Sequence, residues 1–279
     1  MKSTLFPKSN RVLKFATIFR ELTICQELAD LFRLRHQVYA SQGYWEKESR
    51  QLDIDAYDRN SRFVGAYHQS RHGEPLLVGG ARLVLSSQEP GAVAVDEIVK
   101  TYNLEDPGLR SHDYPVESMF RLQDFDTTSD ECRPYTVEFG RTVIRSEWQK
   151  AGLGVRLVHA LYGLALALGI RQGVASVPPR LLPFYSRSGC RPATVARGQS
   201  LGRHRGIDTD LVPVVVDLHD LQGETRESYE ACHALRNGGS WTIWTSAADD
   251  TLVGGKDRIH QGLSGGFGVR SEALLKAGL

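Results

Sequence analysis

From Val155 to Leu168 the chain is almost unbroken apolar, with Leu157, Val158, Ala160, Leu161, Leu164, Ala165 and Leu166 interrupted chiefly by His159. A helix apolar around its whole circumference is stable in water only when protein covers most of it. The run is too short to span a bilayer, which takes roughly 18–20 apolar residues. It therefore predicts a helix packed across a sheet. The preceding residues fit that reading, because Tyr135 to Ile144 alternates as a strand and leads into Trp148-Gln149-Lys150-Ala151-Gly152-Leu153-Gly154. A strand, a glycine turn and a buried helix leave backbone N–H groups pointing outward at a helix N-terminus, which favours an anion. Glycines there let a phosphate approach the backbone, and Lys150 adds a counter-charge. The spacing is neither the dinucleotide fingerprint nor a Walker loop, and an ordinary strand-to-helix turn is the plainer reading of the same residues.

Helical spacing of Leu28, Leu31, Phe32, Leu34, Val38 and Tyr39 predicts a first helix over Cys25 to Tyr39. The polar stretch from Ala40 to Asp58 is long for a turn and reads as a functional loop. Strands are expected at Arg62 to His68 and Leu76 to Leu85, joined through His72-Gly73. A helix follows at Val93 to Tyr102, then an irregular region from Asp106 to Asp130. Beyond the apolar helix come a strand at Gly173 to Val177, a short helix at Leu181 to Ser188 and a strand at Leu211 to Leu218. The organisation expected is a basic, solvated arm over residues 1–25, one α/β domain over 26–220, and a Gly- and Ser-rich, poorly specified tail over 221–279. The arm carries Lys2, Lys8, Arg11, Lys14 and Arg20 but no continuous apolar core for a signal peptide; its alternative is peripheral membrane contact.

Charge excludes one partner class. The chain has 34 Lys and Arg against 33 Asp and Glu, so it lacks the cationic field on which non-specific nucleic-acid binding depends. Cys25, Cys132, Cys190 and Cys232 are scattered, so neither a disulfide framework nor a zinc site is expected and a reducing cytoplasm fits. The histidines form no metal-binding cluster, and no Gly-x-Ser-x-Gly elbow is present.

The Gln149-x-x-Gly152-x-Gly154 turn resembles the acyl-donor loop of the GNAT acyltransferases, and Phe184-Tyr185-Ser186-Arg187-Ser188-Gly189-Cys190 is similar to their Phe-Tyr-x-x-x-Gly-Phe segment, with Cys190 in place of Phe. Arg35-x-x-x-Tyr39, Trp45, Asp53-x-Asp55-x-Tyr57-Asp58, Gly80-x-Arg82-Leu83 and Glu138-x-x-Arg141 together resemble the set shared by acyl-homoserine-lactone synthases and N-acyl amino acid synthases of the FeeM type. The resemblance covers roughly Leu28 to Leu218. Tyr39 where lactone synthases carry Phe, the longer chain and the intact glycine loop favour the amino-acid branch.

The resemblance implies a GNAT fold, a mixed and mostly antiparallel sheet with helices on both faces and a split for the donor. It implies transfer of a medium- or long-chain acyl group from an acyl-carrier-protein or CoA thioester to the α-amine of an amino acid, with no tightly bound cofactor. Gln149, Lys150, Ala151, Gly152, Leu153 and Gly154 would hold the donor's phosphate, and Tyr185 would protonate the departing thiolate or serve as a core aromatic. A free amino acid must lose its ammonium proton before attack, so a base is needed. Glu138 is the favoured base, provided that burial raises its pKa, and an ion pair with Arg141 is its structural alternative. Arg35, Trp45, Asp55, Asp58, Arg82 and Arg141 would bind the acceptor or order the loop. Arg145, Lys150 and Arg156 would dock an acidic carrier protein. Phe63, Leu83, Met119, Phe120, Val143, Leu157, Leu161 and Leu164 are available to line an acyl tunnel and are equally good ordinary core. The rivals are a lactone synthase using S-adenosylmethionine and a non-catalytic acyl-carrier-binding module.

Overall fold

The structure, a computed structural model, describes residues 14–43, 51–69, 74–86, 94–118, 120, 135–149, 152–193, 202–203, 210–219 and 232–246. Strands β1 (Lys14–Glu21), β2 (Ser61–Gln69), β3 (Leu76–Val84), β4 (Thr136–Ile144), β5 (Gln172–Val177), β6 (Arg191–Pro192), β8 (Asp210–Asp217) and β9 (Ser240–Ser246) form one sheet in the order β6-β8-β5-β4-β3-β2-β1-β9. The short β7 (Gly202–Arg203) pairs with β8 off this path. Every pairing is antiparallel except that of β4 with β5. That one parallel pair is bridged by the apolar helix, α3 (Leu153–Ala167), as a parallel crossover requires. The architecture is the mixed sheet with helices on both faces that was expected.

The two faces are built by different helices. Helix α1 (Cys25–Ser41) sets Leu28, Leu31 and Phe32 against Phe63, Leu77 and Val143, with Val95 and Ile98 of α2 (Ala94–Thr101) closing that layer. Helix α3 covers the other face, where Leu157, Leu161 and Leu164 meet Val64, Ala81, Leu83 and Val137. All but its flanks are buried, so the apolar run reflects contact on most sides. The proposed tunnel residues therefore do not share one lining: Phe63 and Val143 belong to the α1 layer, whereas Leu83, Leu157, Leu161 and Leu164 belong to the α3 layer. Phe120 packs in a third cluster with Tyr114 and Val116, and Met119 lies outside the described residues.

Two expectations are corrected. Lys14–Glu21 is no solvated arm but an interior strand, paired with β2 on one side and β9 on the other. Ala16 and Thr17, adjacent residues, are both buried, so the strand is covered on both faces and lacks the alternation that would reveal it. The pairing lends no support to membrane contact through these residues, residues 1–13 of the expected arm lie outside the described residues, and no described helix is long and apolar enough to cross a membrane. Ser240–Ser246, expected within a poorly specified tail, is a sheet strand whose Trp241 stacks on Phe19 at 5.0 Å between centroids.

The β4–β5 pair positions everything that follows. It is hydrogen-bonded only from Thr136 to Glu138 against Gln172 to Val174; beyond Glu138 the strands part, β5 continuing with β8 and β4 with β3. At this fork the Phe139 ring lies over Gly173, where a Cβ would overlap it. Phe139 is buried and packs against Tyr162, with 5.1 Å between ring centroids. Gly173→Ala is therefore expected to lower stability by about 1–3 kcal/mol, read as a drop in thermal midpoint; an unchanged midpoint would mean the fork is loosely packed.

Candidate active site

Beyond the fork, β4 carries an extra residue. Gly80 and Arg82 of β3 face Val143 and Gly140, so Arg141 and Thr142 together oppose Ala81 alone, and Arg141 adopts φ +53°. A bulge of this kind takes a residue out of the ladder and re-aims its neighbours. Arg141 turns to the α1 face. There it completes an alternating ring of three arginines and three aspartates: Arg35 to Asp53 (3.0 Å), Asp53 to Arg141 (2.7 Å), Arg141 to Asp55 (2.9 Å), Asp55 to Arg82 (2.6 Å), Arg82 to Asp58 (2.7 Å) and Asp58 back to Arg35 (2.8 Å). Each residue contacts two of opposite sign, so the charges cancel within the ring.

The ring joins four parts of the chain. Arg35 comes from α1, Arg82 from β3, Arg141 from β4, and the aspartates from the segment before β2. Asp53 N–H also donates to the Phe32 carbonyl at 3.1 Å, and Asp55 N–H donates to the Asp58 carboxylate at 2.8 Å. Burial alone would raise Asp55, but Arg82, Arg141 and Arg35 outweigh it and hold the carboxyl well below its usual range. Asp53 is lowered in the same way, by Arg35 and Arg141 against burial. Arg35 and Arg82 are therefore committed to the loop and are not free cations for a substrate carboxylate. Arg141 and Asp55, with side chains 19% and 25% exposed, form the solvent-facing edge, and the Arg141 guanidinium lies 5.4 Å from the Tyr39 ring centroid.

Glu138 stands on the same sheet face, as the last residue of β4 paired with β5. Its carboxylate accepts the Val116 N–H at 2.7 Å instead of pairing with Arg141. Burial pushes its pKa up to about 8, against the opposing pull of the Val116 N–H and Arg82. A carboxyl so poised can take a proton from an ammonium near neutral pH.

On the other side of the bulge Thr142 hydrogen-bonds the Tyr185 side chain, from α4 (Leu182–Arg187). Burial raises the Tyr185 phenol, so it keeps its proton at any working pH. Tyr185 is thus both packed on the α3 core and linked by hydrogen bond to β4.

The glycine turn lies at the end of β4. The Gln149 amide donates to the Ile144 carbonyl at 3.3 Å, and Gly152 caps α3 in the left-handed region, φ +68°, without a side-chain cap. Its surroundings are open, whereas Gly154 is closed over by Phe184 of α4. Of the expected docking residues, Arg145 donates through Nε to the Leu77 carbonyl at 2.7 Å and Arg156 is half-buried on α3. Trp45, Lys150 and Ala151 lie outside the described residues.

Two features escaped the residue patterns. Asp53, part of the acidic motif, is a full member of the ring. The second is a charge asymmetry: no Asp or Glu occurs between Glu147 and Asp208, a stretch with nine Lys and Arg in a chain of net charge +1. Arg180, Arg187 and Arg191, all exposed, flank α4 within this stretch and could have been found by counting acids.

The family model for N-acyl amino acid synthase FeeM matches residues 30–199, more than half of the chain. No curated protein matches it. Among solved structures, the CoA-dependent acyl-homoserine lactone synthase BjaI with SAM and isopentyl-CoA is 17% identical, with 79% of this chain and 90% of that chain covered and a TM-score of 0.49. FeeM from uncultured soil microbes, an N-acyl amino acid synthase, is 14% identical, with 73% and 92% covered and a TM-score of 0.46. The lactone synthase LasI is 14% identical, with 77% and 94% covered and a TM-score of 0.45.

Proposed function

The chain belongs to the FeeM family of N-acyl amino acid synthases and is an N-acyltransferase, and on that premise we propose that it moves a medium- or long-chain acyl group from a carrier-protein thioester to the α-amine of an amino acid. The observation that carries the reading is Glu138, a buried carboxyl with a pKa near 8 at the fork of β4 and β5. The donor's phosphate binds the backbone amides of the turn that opens at Gly152, and its thioester enters between the parted strands. Glu138 takes a proton from the acceptor's ammonium, and the free amine attacks the thioester carbon. The C–N bond forms, the C–S bond breaks with its electron pair going to sulfur, and the nitrogen's second proton leaves to solvent as the amide forms. A backbone N–H of the bulged strand faces the carbonyl oxygen during attack. Tyr185 donates a hydrogen bond to the departing sulfur. Its raised pKa makes it a stabiliser of the developing thiolate, which solvent then protonates.

The acceptor's carboxylate binds at the exposed edge of the ring, beside Arg141 and Tyr39. Arg35, Arg82, Asp53 and Asp58 hold that edge in place. The acid-free stretch from Trp148 to Ile207 supports an acidic carrier protein over free CoA, with Arg180, Arg187 and Arg191 beside the earlier Arg145, Lys150 and Arg156.

Gly152→Val tests the donor site. A β-branched residue is strained at φ +68°, and the distortion should raise the donor KM about tenfold, with a smaller effect on kcat. A loss confined to kcat would move phosphate binding elsewhere.

A further inference from the structure

We propose that the hydrogen bond between the Tyr162 hydroxyl and the Cys190 thiol is a positioning device for acyl transfer: it docks the end of α4 on α3 and so aims the Tyr185 hydroxyl at the β4 bulge. The proposal rests on the reading in which Tyr185 donates to the departing sulfur. Tyr162 and Cys190 lie 3.1 Å apart, O to S, and both are buried. Cys190 is tied in turn to Tyr185, because the N–H groups of Ser188 and Cys190 both donate to the Tyr185 carbonyl at 3.0 Å. Tyr162 is fixed from the opposite direction by the Phe139 ring. The contacts close a circuit that leaves β4 at Phe139, passes through Tyr162, Cys190 and Tyr185, and returns to β4 at Thr142.

Helix α4 has only six residues, too few for a helix to hold its own geometry. Its orientation must come from anchors at its ends. Phe184 against Gly154 supplies one, near the donor loop. The Cys190 contact supplies the other, just past the left-handed Gly189. Burial pushes the Cys190 thiol up to about 11 and the Tyr162 phenol above its ordinary value, so both stay neutral. The contact thus works as an anchor without titrating, and Cys190 is no nucleophile.

The test uses Tyr162→Phe, which removes one oxygen and keeps the ring on Phe139, with Cys190→Ala as an independent second variant. Each is assayed with two donors of the same acyl group, an alkyl thioester and an aryl thioester whose acidic thiol departs without help. With the alkyl donor both variants should lose about fivefold in kcat at unchanged donor KM, the worth of one neutral hydrogen bond. With the aryl donor the loss should fall below about twofold. Cys190→Ser should restore the alkyl rate, and neither variant should slow a Tyr185→Phe enzyme further. Equal losses with both donors, or losses that persist in the Tyr185→Phe background, overturn the positioning role while leaving Tyr185 its own. If Tyr185→Phe does not slow the alkyl donor, the reading of Tyr185 fails and the proposal with it.

Discussion

Replacing Glu138 by Gln is expected to lower kcat by on the order of 10²–10⁴-fold, with the donor KM changed far less. Gln keeps the acceptor for the Val116 N–H but cannot take a proton, so the change separates base from scaffold. In the wild type kcat/KM should rise with pH until Glu138 ionises, near its pKa of about 8. The variant should lose that limb and retain only the one from the substrate amine. Stability should move oppositely. The folded protein holds this proton to about pH 8, whereas the unfolded chain releases it near 4.5. Folding is therefore favoured by Glu138 at low pH and loses that advantage as pH rises from 4.5 to about 8. Gln has no proton to lose, so the variant should gain thermal stability over the wild type across this window and keep the gain above it. A variant that is slow but no more stable at high pH would contradict the buried, raised carboxyl.

Arg35→Ala should cost the most stability, about 3–5 kcal/mol, because it leaves Asp53 and Asp58 buried beside a missing cation. Burial of the intact ring is not itself a large gain; the cost comes from breaking it on one side. Arg35→Lys should recover little, since a single ammonium cannot reproduce the forked contacts to both carboxylates. Adding Asp58→Asn to Arg35→Ala should recover part of the loss by removing the stranded charge. Denaturant melts of these three variants and of Asp58→Asn alone measure this, and additive losses in the double variant would rule out the ring as a coupled unit.

Features that depend on local pattern were legible in the sequence. The α3 run, the alternating β4, the glycine turn and the Glu138 candidate each follow from neighbours in the chain. What escaped depends on cover from distant segments. Strand β1 buries adjacent residues on both faces, which erases the period of two, and its Lys and Arg residues made it read as an arm. Strand β9 sits in Gly- and Ser-rich surroundings but is itself Trp- and Thr-rich, as strands favour. The ring's members were visible as Arg and Asp residues. Which arginine pairs with which aspartate was not, because it is set by the bulge that turns Arg141 to the α1 face. The apolar candidates divide between the two sheet faces for a related reason: apolar side chains carry no mark of which face they take.

The most direct test of the account is product analysis by mass spectrometry. The folded protein would be given carrier-protein and CoA thioesters of several chain lengths, the common amino acids and S-adenosylmethionine together. The account predicts an N-acyl amino acid, formed faster from the carrier-bound donor and lost in Glu138→Gln. An acyl-homoserine lactone accompanied by methylthioadenosine, or recovery of intact thioester alone, would contradict it.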